Sequence, residues 1–243
     1  MLALLGACRA EESPAPTQEL PVAACEERTF EGSAFTLCKY DSAKHRIEMF
    51  VEGEDGQPLR SFGALEAHLG PRASSLLFAM NGGMYDEEGR PIGLYVEEGK
   101  QIRAINLREG GGNFHLMPNG VFAVDRDGRP SVTPSKEFNA KDPLWATQSG
   151  PMLVIDGKLH PAFDPNGESL NIRNGVGACG ETVAWFAISD EPVSFGRFAR
   201  LFRDELHCPN AMFLDGSVSS LWEAGVRQDV RAPLGPLVAV FRR

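Results

Sequence analysis

The apolar positions of this chain fall mostly in short runs and alternations, not in long helical stripes. Phe35, Leu37 and Tyr40, then Ile47, Met49 and Val51 beyond an Asp41-Ser42 turn, alternate with polar residues and predict two strands within residues 29–52. Leu59 to Leu69 is weakly helical. Ile92 to Val96 and Gln101 to Leu107 read as a hairpin about Glu97-Glu98-Gly99. Phe114 to Met117 and Val121 to Val124 continue the strand-and-turn pattern. Gln148-Ser149-Gly150-Pro151 reads as a polar turn that opens a strand over Met152 to Ile155. Two apolar runs share one kind of ending. Leu76 to Met80 stops on Asn81-Gly82-Gly83, and Ala211 to Leu214 stops on Asp215-Gly216, followed by Ser217, Ser219 and Ser220. A strand closed by a carboxylate and a glycine delivers charge to a sheet edge, with the glycine permitting a tight exit. The plainer readings are a turn whose Asp caps the next segment and an Asn-Gly hairpin turn.

The last third predicts a strand-helix-strand unit. Val183 to Ile188 is a near-continuous apolar run, hence a buried strand. Ser194 suits an N-cap, and Phe195, Phe198, Ala199, Phe202 and Leu206 line one helical face, with Pro209 closing the helix before the strand at Ala211. Two strands joined by a helix run parallel with a right-handed crossover, so Asp190 and Asp215 are expected to emerge at one carboxyl edge. Cys179 and Cys208 precede those strands near the opposite edge and are expected to be bonded. Cys25 and Cys38 are paired by their proximity in sequence. Strand-like segments outnumber helical ones, so the expected class is α+β, with mixed, mostly antiparallel β-sheets, few helices and this C-terminal unit.

Composition narrows the function. The chain has 243 residues, 42% of them hydrophobic, enough for a sizeable core, and a formal net charge of -9. That acidity argues against nucleic acid as a partner. The histidines are scattered and the cysteines lack CxxC spacing, so neither a metal nor another cofactor is expected. No apolar run is long enough for a membrane-spanning helix. Leu5-Gly6-Ala7 before Cys8 resembles a bacterial lipobox, in which the leader is cut ahead of a lipidated cysteine. A basic leader region is lacking, which points to a start upstream or a misassigned one; the alternative is an ordinary apolar N-terminus. Residues 1–24 are therefore expected to be a signal remnant and flexible linker, and residues 25–243 the functional domain, exported as a monomer and tethered to the membrane through Cys8. Arg173, isolated among Asn and Gly residues, is expected to be a surface cation suited to a phosphate or carboxylate, or else the partner of a surface acid. Ser149 lies outside a GxSxG elbow, so a serine hydrolase is poorly supported.

Asn81-Gly82-Gly83-Met84-Tyr85, Asn113 to Phe122, Gln148-Ser149-Gly150-Pro151, Arg173 through Gly177, Ser189-Asp190 and Leu214-Asp215-Gly216-Ser217, in that order, resemble the phosphodiester glycosidase family. Asn174 and Ser217-Val218 depart from its usual pattern. The resemblance implies hydrolysis of a sugar-1-phosphodiester in the bacterial cell envelope. It implies Asp215 as the first choice of catalytic carboxylate and Asp190 as the second, and Arg173 as the phosphate ligand. Asn81, Gly82, Gln148, Ser149, Asn174, Gly216 and Ser217 would line the substrate site. The alternative is a lipoprotein that binds envelope glycan without turnover.

Overall fold

The computed structural model describes residues 24–139, 141–229 and 233–243. The lipobox and most of the linker lie outside them. The described strands are β1 (Cys25–Phe30), β2 (Ser33–Asp41), β3 (His45–Phe50), β4 (Leu76–Asn81), β5 (Tyr95–Glu97), β6 (Lys100–Arg103), β7 (Gly120–Val124), β8 (Pro130–Pro134) and β9 (Trp145–Ser149). They continue with β10 (Met152–Ile155), β11 (Lys158–Leu159), β12 (Asn174–Ala178), β13 (Val183–Ser189), β14 (Asn210–Phe213), β15 (Leu221–Glu223), β16 (Arg227–Gln228) and β17 (Leu237–Arg242). The helices α1 (Phe62–Leu69) and α2 (Phe195–Arg200) complete the regular elements beside short 3-10 and π turns. The class is α+β.

The strands form a seven-stranded sheet in the order β1-β2-β13-β12-β14-β10-β11 and two five-stranded sheets, β16-β15-β4-β17-β3 and β6-β5-β9-β7-β8. Neighbouring described strands pair antiparallel throughout. Period-two burial explains the packing. Tyr40, Phe186 and Met212 of the first sheet, Met49, Phe78 and Val240 of the second, and Tyr95, Phe122 and Trp145 of the third share one central core. The other face of the first sheet packs Leu37, Ala187 and Phe213 against Phe198 and Phe202 of the α2 segment. That of the second packs Phe50, Ala79 and Phe241 against Phe62, Leu65 and Leu69 of α1. Each large apolar side chain so covered contributes about 1.5–3 kcal/mol.

The C-terminal unit forms with one difference. Ser194 caps α2 by accepting from the Arg197 amide, and the helix continues as a π turn over Leu201–Glu205. β13 and β14 do run parallel, but β12 lies between them, antiparallel to both. Gly175 and Gly177 let β12 fit there: a Cβ at either would strike Phe198 and Met212, or Phe202 and Cys208. Both disulfides, Cys25–Cys38 and Cys179–Cys208, are formed. Three local readings change. Gln148 and Ser149 end strand β9 instead of forming a turn. The hairpin is confined to Tyr95–Glu97 and Lys100–Arg103. Asn113–His115 is a 3-10 turn.

Candidate active site

All three sheets meet at the end of β4. Asn81, 1% exposed, is the pivot. Its Nδ2 donates to the Asp215 carbonyl (2.8 Å), and its Oδ1 accepts from the Ser220 amide (2.8 Å) and from Asn174 Nδ2 (2.8 Å). Ser219 Oγ donates to Asn174 Oδ1 (3.0 Å). The Asp215 amide donates to the Gly82 carbonyl (3.0 Å), and the Gly82 amide to Pro236 (2.7 Å). The Gly83 amide reaches Thr147 Oγ1 (3.2 Å) on β9. Gly83 must lack a side chain, because a Cβ there would run into the Gln148 carbonyl and Thr147. Asn81→Ala removes three side-chain hydrogen bonds inside a buried junction, at roughly 1–3 kcal/mol for each group left unsatisfied. The expected result is a large fall in Tm together with loss of the site; an unchanged Tm by thermal melting would show that the junction forms without Asn81.

The Asp215 backbone is held by Asn81 and Gly82. Its side chain accepts from the Ser217 amide (3.1 Å). The residue is only 8% exposed. Burial raises its pKa above the usual Asp value, opposed by the Ser217 contact. Gly216 packs its backbone on the Phe213 ring with no room for a Cβ, and Ser217 is exposed beside it.

Arg173 is placed differently from the surface cation expected. It is 1% exposed. Its guanidinium carbon lies 3.5 Å from the Phe195 ring centroid and 5.6 Å from that of Phe213. Nε donates to the Val193 carbonyl and Nη2 to that of Ser169, both at 2.8 Å. Phe195 stacks in turn on Phe163 (4.9 Å), and Phe163 on His160 (4.8 Å). Burial lowers its pKa to about 10, which keeps it cationic at neutral pH. No carboxylate pairs with it among the described residues. The pairing of Gly175 with Phe213 and the bond from the Leu214 amide to Asn174 carry the ladder one step on, setting Arg173 opposite Asp215.

Asp190 does not join them. With β12 intervening, it stands two strands from Asp215, roughly 10 Å across the sheet. Alternation turns it to the other face, since Phe186 and Ile188 point into the central core whereas Ala211 and Phe213 point out toward α2. There Asp190 pairs with Arg227 (2.6 Å) and accepts from Thr36 (3.1 Å). Gln148 is also engaged: Oε1 accepts from the amides of Leu94 and Asn106 (2.9 Å each), and Nε2 donates to the Asn106 carbonyl (2.7 Å). Ser149 is buried and its hydroxyl has no partner. Ser219, Ser220 and Thr147 also belong to the junction; the serine run after Gly216 is the local signal for the first two, and Thr147 has none.

At the junction of the sheets the site therefore holds a buried strand-end carboxylate and, across the ladder, a buried arginine without an ion pair among the described residues. The chain belongs to the phosphodiester glycosidase family, whose sequence model matches residues 74–237. YigE of Escherichia coli (strain K12), an uncharacterized protein, is 35% identical over 199 residues, 82% of this chain and 78% of that one. Among solved structures, the catalytic domain of zebrafish N-acetylglucosamine-1-phosphodiester alpha-N-acetylglucosaminidase, auto-inhibited by its pro-peptide, superposes with a TM-score of 0.59 at 15% identity, covering 90% of this chain and 81% of that one. A hypothetical protein from Synechocystis gives 0.56 at 13% identity, covering 90% and 61%. At these identities the likeness is one of fold.

Proposed function

We propose that the protein hydrolyses a sugar-1-phosphodiester, Sugar–O–P(O2)–O–R, between the anomeric carbon and the phosphate oxygen. Asp215 carries the reading: a buried carboxylate whose pKa burial has raised is a stronger base than an ordinary Asp. It takes a proton from water as the water oxygen bonds to the anomeric carbon. The C–O bond breaks, and its electrons leave with the phosphate monoester. That anion is a good leaving group, so the step proceeds without a second carboxylate as acid, in keeping with the engagement of Asp190 by Arg227. Arg173 stabilises the charge on the departing phosphate. Asn81, Asn174 and Gly82 hold the site in register, and Ser217 meets the substrate. The two disulfides support an exported, oxidising address, and with it tethering in the envelope through Cys8.

Incubation with a panel of sugar-1-phosphodiesters tests the reaction. Sugar release by the wild type, absent in Asp215→Asn, is expected. Binding without release would instead favour a glycan-binding lipoprotein. The pH profile is a second check. A base whose pKa is raised by burial is ionised only above that pKa, so the acid limb of kcat/KM should lie above the ordinary Asp value and vanish from any residual activity of Asp215→Asn. A limb at the usual Asp value would remove Asp215 from the role of base.

A further inference from the structure

Arg60, like Arg173, is an arginine packed on an aromatic ring with no ion pair among the described residues. It adopts a left-handed backbone, φ 61°, immediately before the N-cap Ser61 of α1. For a non-glycine residue this geometry costs roughly 1–3 kcal/mol, and such strain gathers at binding sites. The guanidinium carbon lies 5.0 Å from the Tyr85 ring centroid. The side chain also crosses the backbone of Gly89 so closely that a Cβ at that position would collide with Nη1. Nη1 is buried without a hydrogen-bond partner. Nε and Nη2 donate to no group among the described residues either. Among the described residues no carboxylate pairs with the cation: Asp86 and Glu88 of the neighbouring turn are taken by Arg90.

Tyr85 links this cation to the candidate active site. Its ring lies beside Gly235, next to Pro236, whose carbonyl accepts from the Gly82 amide, and the Gly82 carbonyl in turn accepts from the Asp215 amide. Its hydroxyl donates to the Pro233 carbonyl, and a Cβ at Gly235 would collide with its ring. Tyr85 thereby joins Arg60 to the segment that holds the Asp215 backbone. A planar guanidinium stacked on a fixed ring keeps its orientation without spending its donors, which suits it to a planar or tetrahedral oxyanion.

We propose that Arg60 reads a second anionic group of the substrate, a carboxylate or phosphate on the part beyond the scissile phosphodiester. The inference rests on the phosphodiester reading of the Asp215 site and assigns that site its substrate class: diesters with an acidic aglycone. Arg173, buried opposite Asp215, serves the scissile phosphate, and Arg60 serves the further charge.

Calorimetric titration with two synthetic ligands tests this without needing turnover. Both carry the same sugar-1-phosphodiester; one ends in a methyl group and the other in a carboxylate-bearing chain. The wild type should bind the acidic ligand about tenfold more tightly, on the scale of one charged hydrogen bond. Arg60→Gln should lose that preference while keeping its affinity for the methyl diester. Arg60→Lys should recover only part of it, since an ammonium stacks and orients poorly. Equal wild-type affinity for the two ligands would overturn the proposal. So would an Arg60→Gln variant weakened equally toward both, which would place Arg60 on the scissile phosphate. Binding of neither ligand overturns this inference and the phosphodiester reading together. Preferential binding of the acidic ligand without hydrolysis overturns the reaction alone. If Arg60→Gln fails to fold, the wild-type comparison and Arg60→Lys still decide the outcome.

Discussion

Asp215→Asn is expected to lower kcat by about two to four orders of magnitude, the range for loss of a positioned base, and at the same time to raise Tm. The two effects have one cause. The raised pKa means that the folded protein holds the Asp215 proton more tightly than the unfolded chain does. As pH rises through the interval between the unfolded and folded values, the unfolded state releases its proton first and stability falls; the full cost is present at neutral pH. Asparagine keeps an oxygen for the Ser217 amide and removes the buried charge. Each kcal/mol so relieved is worth about 2–4 °C in a domain of this size. Thermal melts at acid and neutral pH check this: the gain should appear at neutral pH and fade at acid pH, where wild-type Asp215 is already neutral. A variant that is inactive and also less stable at neutral pH would make Asp215 a structural capping residue.

Arg173→Ala should damage activity and folding together. With its guanidinium gone, the Val193 and Ser169 carbonyls lose their donors, and a cavity opens beside Phe195 and Phe213. At roughly 1–3 kcal/mol for each orphaned group, a loss of about 3 kcal/mol or more is expected, a fall in Tm on the order of 10 °C. A surface cation would leave the Tm nearly unchanged; the burial of Arg173 is what makes its loss costly. The chemical contribution is separated by Arg173→Lys, which keeps the charge but cannot serve both carbonyls and a phosphate. If Arg173 stabilises the departing phosphate, Arg173→Lys should lose about a hundredfold in kcat/KM on the phosphodiester and far less on an uncharged glycoside of the same sugar. Equal losses on the two substrates would confine Arg173 to holding the 164–172 loop against Val193.

What was legible in the sequence was mostly local. The endings at Asn81 and Asp215 are visible because each is an apolar run cut by a polar residue and glycine, and α2 because Phe195, Phe198, Ala199 and Phe202 share a face. What was hidden depends on partners distant in sequence. β12 reads as a loop because Asn-Gly-Val-Gly-Ala offers little apolar pattern; its glycines answer to Phe198, Phe202 and Met212, which no window around residue 175 contains. Its insertion between β13 and β14 separates Asp190 from Asp215 by two strand spacings, and alternation along the strands sets them on opposite faces. Gln148 looks like a turn residue because its side chain is polar, yet it serves main-chain groups of Leu94 and Asn106 and the side chain of Asn119. Arg173 looks like a surface cation because its acceptors are carbonyls, and any residue could supply those.

The central claim is cleavage at the anomeric carbon by water that Asp215 activates. Hydrolysis of a sugar-1-phosphodiester in 18O-enriched water, with the products resolved by mass spectrometry, tests it most directly. The account expects the heavy oxygen in the anomeric hydroxyl of the released sugar, an unlabelled phosphate monoester, and neither product with Asp215→Asn. Label in the phosphate, with release of a sugar phosphate, would mean attack at phosphorus and would contradict it.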